Sequence, residues 1–136
     1  MLIGIDPLLS GDLLAALDQM GHGDVLVIGD ANFPGRRLAD RVIKVQGADA
    51  PSVMRAVASV FPIDVGSSIS LMTSPTGRLP VQEELVIAAG GEGHGLGVAE
   101  LDRFAFYDEA KQACVVLITG ERRPYGNVLV RKGVVV

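Results

Sequence analysis

Two runs of almost purely apolar residues constrain this chain most: "DVLVIGD" (24–30) and "CVVLIT" (114–119). Each is too short for a helix and has no polar face. A strand of that kind must be covered on both sides, which an antiparallel sheet with one wet face does not provide. The segments between the strand candidates have helical periodicity. After Ser10 or Asp12, either of which can cap a helix, Leu13, Leu14 and Leu17 share a face up to about Met20, and Gly21 ends the helix. Asp49 caps the next helix, opened by Ala50 and Pro51, with Val53, Met54, Val57 and Val60 on its apolar face, and Pro62 closes it. "RVIKVQG" (41–47), "SISLMTS" (68–74) and "NVLVRKGVVV" (127–136) read as further strands, the last interrupted at Gly133. Helices are also expected over about Val81 to Ala89 and Leu101 to Ala113. Alternating helices and strands predict an α/β class: one three-layer α/β/α domain over residues 1–136, with a central mixed sheet.

Composition narrows the function. The net charge is −4, from 12 basic and 16 acidic residues, and this disfavours a nucleic-acid partner, which needs a basic patch. The nearest basic pair, Arg122-Arg123, sits between Glu121 and Pro124 and reads equally well as a solvated turn. The single cysteine, Cys114, cannot form an internal disulfide; inside an apolar strand it reads as a small core residue rather than a nucleophile. The start "MLIGIDPLLSGDLL" lacks the basic and apolar regions of a secretory signal, and no apolar run has the roughly 20 residues that cross a bilayer. A cytoplasmic protein without membrane partners is the expectation.

Chemistry must come from scattered polar residues. There is no G-x-S-x-G elbow and no Cys–His pairing. "GGEGHGLG" (90–97) fits neither a dinucleotide fingerprint nor a phosphate loop and reads as a connection. His22 and Asp24 form only an H-x-D pair, and His94 lies in that glycine stretch, so neither a metal nor any other cofactor is expected. His22 lies between two glycines at a helix-to-strand corner. It either interacts as a cation with the helix end or, with little bulk around it, moves protons on a small molecule; an imidazole titrates at about 6.5 when unperturbed. Asp30 stands at the carboxyl end of the following strand, where ligands of open α/β sheets gather; it is either a hydroxyl acceptor or a turn former. About six extended residues separate it from His22, roughly 20 Å, so one ligand touches both only if the chain folds back or the pocket lies between subunits. Arg103 and Tyr107, four apart, share a helix face that either donates to hydroxyl oxygens or simply packs. Tyr125 and Asn127 precede the last strand, and the Asn amide suits vicinal hydroxyls. A plain Pro-Tyr-Gly-Asn turn is the alternative.

The motifs "MGHGD", "GDANFP", "RFAFY", "TGER", "YGN" and "KGV" occur in an order and spacing that resemble the sugar-mutarotase family that includes L-fucose mutarotase and D-ribose pyranase. The likeness runs from about Leu2 to Val134 and is weakest over Arg78 to Glu100. "RFAFY" with "GER..YGN" is closer to the fucose branch. The resemblance implies a proton-donating role for His22, substrate binding by Asp30, Arg103, Tyr125 and Asn127, and an acidic fucose-type position at Asp64. It also implies a homo-oligomer, commonly a decamer of two stacked pentamers with sites near subunit contacts. The implied activity is acid/base-assisted opening and closing of a monosaccharide hemiacetal ring, without a cofactor. The residues alone leave three other readings open: a non-catalytic monosaccharide-binding module, a D-ribose pyranase-type pyranose/furanose exchange, and an oligomeric scaffold with no ligand.

Overall fold

The computed structural model describes residues 1–91 and 95–136. His94 and part of the glycine stretch fall outside the described residues. Helices α1 (Gly11–Gln19), α2 (Gly35–Leu38), α3 (Ala50–Ala58), α4 (Pro80–Ala88) and α5 (Arg103–Ala110) alternate with strands β1 (Val25–Gly29), β2 (Val42–Val45), β3 (Ile69–Met72), β4 (Val98–Leu101), β5 (Ala113–Thr119) and β6 (Val128–Arg131). The strands form one sheet in the order β2-β5-β1-β6-β3-β4. β1 runs parallel to β5, β2 parallel to β5 and β3 parallel to β4, while β6 lies antiparallel between β1 and β3. The sheet is therefore mixed.

Successive side chains of a strand point to opposite faces, and the two cores follow this alternation. Leu26, Ile28, Val115, Leu117, Val128 and Val130 pack with α1, α3 and α4 on one face. Val25, Val27, Val116 and Leu129 pack with Phe33, Leu38, Phe106 and Ala110, from the chain around α2 and α5, on the other. Every residue of β1 is buried, as its unbroken apolar run requires. Burying one such aliphatic side chain is worth about 1.5–3 kcal/mol, so the central strands anchor the layers. Local signals agree: the Ser10, Asp49 and Asp102 side chains accept from the backbone N–H of Leu13, Ser52 and Ala105 and start α1, α3 and α5.

Val60, expected on the apolar face of α3, lies beyond the helix end at Ala58 and is exposed. Four further details depart from the sequence reading. α5 starts only at Arg103, because residues 98–101 form the edge strand β4 and Asp102 caps the helix behind it. A one-turn helix, α2, follows Pro34. The last strand ends at Arg131; beyond it Lys132 forms an isolated bridge with Ile63, and Gly133 N–H donates to the Pro62 carbonyl. Cys114 is exposed rather than part of the core. The register explains it: Val25 pairs with Ala113 and Leu26 with Val115, so Cys114 is the unpaired residue of a bulge. Partial burial and the carboxylate of Asp24 push its thiol pKa up, which does not favour a nucleophile.

Candidate functional site

The sheet sends its chemistry to two ends. At the carboxyl end of β1, Phe33 folds back over Gly29; a Cβ at Gly29 would lie 2.6 Å from the Phe33 Cβ. The tight reversal leaves Asp30 nearly buried, at 8% exposure. The Asp30 N–H donates to Asn127 Oδ1 at 2.8 Å, and the Asn32 N–H donates to Asp30 Oδ1 at 2.9 Å. Burial is the main cause of a raised Asp30 pKa; Glu121 adds to it, and hydrogen bonds from Asn32, Asn127 and Phe33 act the other way. Asn127 is itself buried and enters β6, the antiparallel neighbour of β1, which is why residues 97 apart in sequence meet here.

Tyr125 precedes it with φ of 63°, the one described non-glycine residue with positive φ. Such a backbone costs about 1–3 kcal/mol, and the loop around it must hold it there. The half-buried Tyr125 lines a cleft of about 350 Å³ with Thr73, Ser74, Pro75, Asp102, Arg103 and Phe104. Arg103 and Phe104 also border a larger cleft of about 680 Å³, walled by Tyr107, Asn32, Arg37 and Lys111. The Phe33 ring meets Tyr107 edge-on at 5.8 Å, and the Arg37 guanidinium lies 5.6 Å from the Tyr107 ring centre. The structure thus gathers Asp30, Asn127, Tyr125, Arg103 and Tyr107 at one end of the sheet.

His22 and Asp64 lie at the other end. β1 begins at Val25 opposite Arg131, and the turn before it is tied to the end of β6: the Gly23 N–H donates to the Lys132 carbonyl at 2.8 Å and the Lys132 N–H to the Asp24 carbonyl at 2.9 Å. Gly23 has φ of +83°, a conformation that suits glycine, and His22 beside it is exposed. The helix-end role open to His22 belongs to Lys132, whose Nζ donates to the carbonyls of Leu17 and Met20 at 2.7 and 2.6 Å. Asp64 lies within electrostatic reach of His22. Its carboxylate accepts from the Gly66 N–H and the Ser67 hydroxyl, and these bonds, then the charges of His22 and Arg131, hold its pKa below the usual carboxylate value. Among the described residues no three His, Cys, Asp or Glu side chains are placed to hold a metal.

The structure adds residues that the sequence reading passed over. Arg122 and Arg123 do lie in an exposed turn, but the neighbouring Glu121 is 3% exposed, and the Arg123 guanidinium grips its carboxylate through Nε and Nη2, each at 2.9 Å. Buried Gln82 donates to the Met72 carbonyl at the end of β3, just before the Thr73–Pro75 wall of the smaller cleft. A charged pair two residues apart in a turn carries no sign in the sequence of where its carboxylate points. Gln82, a polar residue inside a helical stretch, was the only such hint.

Comparison with known proteins extends this geometry. A curated L-fucose mutarotase of Histophilus somni is 41% identical, with 98% of this chain and 97% of the relative covered. One from Actinobacillus pleuropneumoniae is 39% identical at the same coverage. The solved fucose mutarotase of Streptococcus pneumoniae, in complex with L-fucose, superimposes with a TM-score of 0.88 at 34% identity, over 99% of this chain and 100% of the other. Bacillus subtilis RbsD complexed with D-ribose shares the fold, with a TM-score of 0.77 at 20% identity over the full length of both chains. No described helix is long and apolar enough to cross a membrane. The profile of the RbsD / FucU transport protein family matches residues 3–135, and the chain belongs to that family.

Proposed function

We propose that this protein is a monosaccharide mutarotase that interconverts the α and β anomers of L-fucose, or of a sugar of similar stereochemistry. The observation that carries the reading is the full-length likeness to a fucose mutarotase solved with L-fucose, in a chain whose cleft is bordered by hydroxyl-binding side chains. Ring opening needs two proton movements: the anomeric hydroxyl gives up its proton to a base, and the ring oxygen receives one as its bond to C1 breaks. The free aldehyde rotates, and closure on the other face reverses both steps. His22 serves as the acid/base, with the Tyr125 hydroxyl as its partner. Asp30, Arg103, Asn127 and Tyr107 orient the sugar through its hydroxyls, and Asp64 acts on the imidazole through its charge. Holding the substrate in place is itself catalytic. No cofactor takes part in these steps.

His22 and Asp30 flank opposite ends of a fully buried strand, so one copy does not bring both to one sugar. The site is completed by a second copy whose His22 end abuts the Asp30 end of the first. Exposed apolar residues support such a contact at both ends: Phe104, 70% exposed, beside Arg103, and Val65, 67% exposed, beside Asp64. The assembly we propose is a homo-oligomer, a decamer of two stacked pentamers, acting in the cytoplasm.

Saturation transfer between the anomeric protons of L-fucose tests the reading. The wild-type protein is expected to accelerate exchange. His22→Ala is expected to lose at least about 10²-fold of that acceleration, the usual share of a positioned acid or base, while still binding the sugar. Binding without acceleration by the wild type indicates a sensor instead, and exchange by His22→Ala at the wild-type rate removes the histidine from the mechanism.

A further inference from the structure

Beyond the residues that face the sugar, we infer that Glu121 is a positioning residue: it holds the Tyr125–Asn127 arm in register with Asp30. The inference rests on the mutarotase reading above and names a residue that touches the cleft only through others.

Glu121 lies where the two halves of the hydroxyl-binding end cross. Its carbonyl accepts from the Ala31 N–H at 2.8 Å, directly after Asp30, and its N–H donates to Thr119 Oγ1 at 3.1 Å. That same hydroxyl donates to the Gly29 carbonyl at 2.9 Å, so the end of β1 and the end of β5 are tied through Glu121. Its side chain turns the other way, into the loop that carries Tyr125. Oε1 accepts from both the backbone N–H and Nε of Arg123, at 3.0 and 2.9 Å, and Oε2 accepts from Nη2. The Ala50 N–H at the start of α3 adds to the stabilisation of this carboxylate. From outside, Glu84 on α4 engages Nη1 of the same guanidinium.

The consequence is local and geometric. A carboxylate that captures the N–H two residues ahead forces a tight turn, and the planar guanidinium closes it from the side. The next residues, Pro124 and Tyr125, then have little freedom, and Tyr125 is kept at φ of 63°. Gly126 is pressed on the stem of the same side chain: a Cβ there would lie 2.9 Å from Glu121 Cγ. One buried carboxylate thus ties the strained residue to the strand end that bears Asp30.

The experiment compares wild type, Glu121→Gln, Tyr125→Phe and the double variant, reading L-fucose anomer exchange by saturation transfer and L-fucose affinity by calorimetry. Glutamine keeps the volume but cannot close the two-oxygen clamp. Glu121→Gln is expected to lose about 10- to 100-fold in exchange, the scale of a displaced reactive group. The double variant is expected to fall no more than about twofold below the worse single variant, because both changes act on one arm. A role only in stability would lower melting temperature and multiply with Tyr125→Phe, and that result overturns the inference, as does wild-type exchange by Glu121→Gln. Should Glu121→Gln not fold, Arg123→Lys, at a side chain 43% exposed, keeps the charge and loses the fork. It is expected to lose about threefold, with the same lack of multiplication, whereas wild-type behaviour overturns the inference. A wild-type chain that neither binds L-fucose nor speeds exchange overturns the mutarotase reading as well, an outcome distinct from an active wild type with an equally active Glu121→Gln.

Discussion

Asp30, in the proposed site, would trade stability for function. Burial raises its pKa above the ordinary carboxylate value. The folded state therefore binds its proton more tightly than the unfolded chain does. Its contribution to stability is fully present below the unfolded pKa and is lost as pH rises through the folded one. Once ionised, the buried carboxylate is a cost, offset in part by the Asn32 N–H it accepts. Asp30→Asn keeps an acceptor for that N–H and removes the charge. Its melting temperature is expected to exceed that of wild type at pH 7, with the gap closing toward pH 4, while anomer exchange falls. Thermal melts at the two pH values check the first part and saturation transfer the second.

At the scale of elements, what was legible in the sequence followed pattern length. The unbroken apolar run of β1 and the capped periodicity of α1 and α3 have one physical solution each, and the structure has it, except that α3 stops at Ala58 and leaves Val60 exposed. β4 escaped because four residues at a sheet edge, partly exposed and including Glu100, have no periodicity to read. α2 is one turn long, and Cys114 left the core through a bulge that depends on the partner strand. The site divides the same way. The candidates with distinctive chemistry in short motifs, His22, Asp30, Arg103, Tyr125 and Asn127, were legible, whereas the burial of Glu121 and Gln82 was not, because burial is a tertiary property. Gln82 is the test at this scale. Its amide donates to the Met72 carbonyl at 2.6 Å while its oxygen accepts from the Leu79 N–H at 2.9 Å, joining β3 to the start of α4. Gln82→Leu leaves both backbone groups without that partner and is expected to cost about 1–3 kcal/mol in denaturant unfolding.

For the whole molecule, the decisive fact is that the residues split between the two ends of the sheet. Under the proposed assembly, His22→Ala and Asn127→Ala chains are each defective alone. Unfolded together and refolded as a mixture, they are expected to regain up to about a quarter of wild-type exchange, since some contacts then pair an intact His22 end with an intact Asn127 end. Recovery absent from mixtures that do co-assemble places the full site within one chain.

The rigidity of β1 has a last consequence. Packed on both faces along its length, the strand cannot slide to bring its poles together, so in the proposed assembly each chain would donate at one pole and receive at the other. In a closed circle of such chains there are as many workplaces as members, yet each member belongs to two of them. A single copy damaged at both poles silences a pair of neighbouring workplaces, and the harm from a faulty subunit outruns its share of the population.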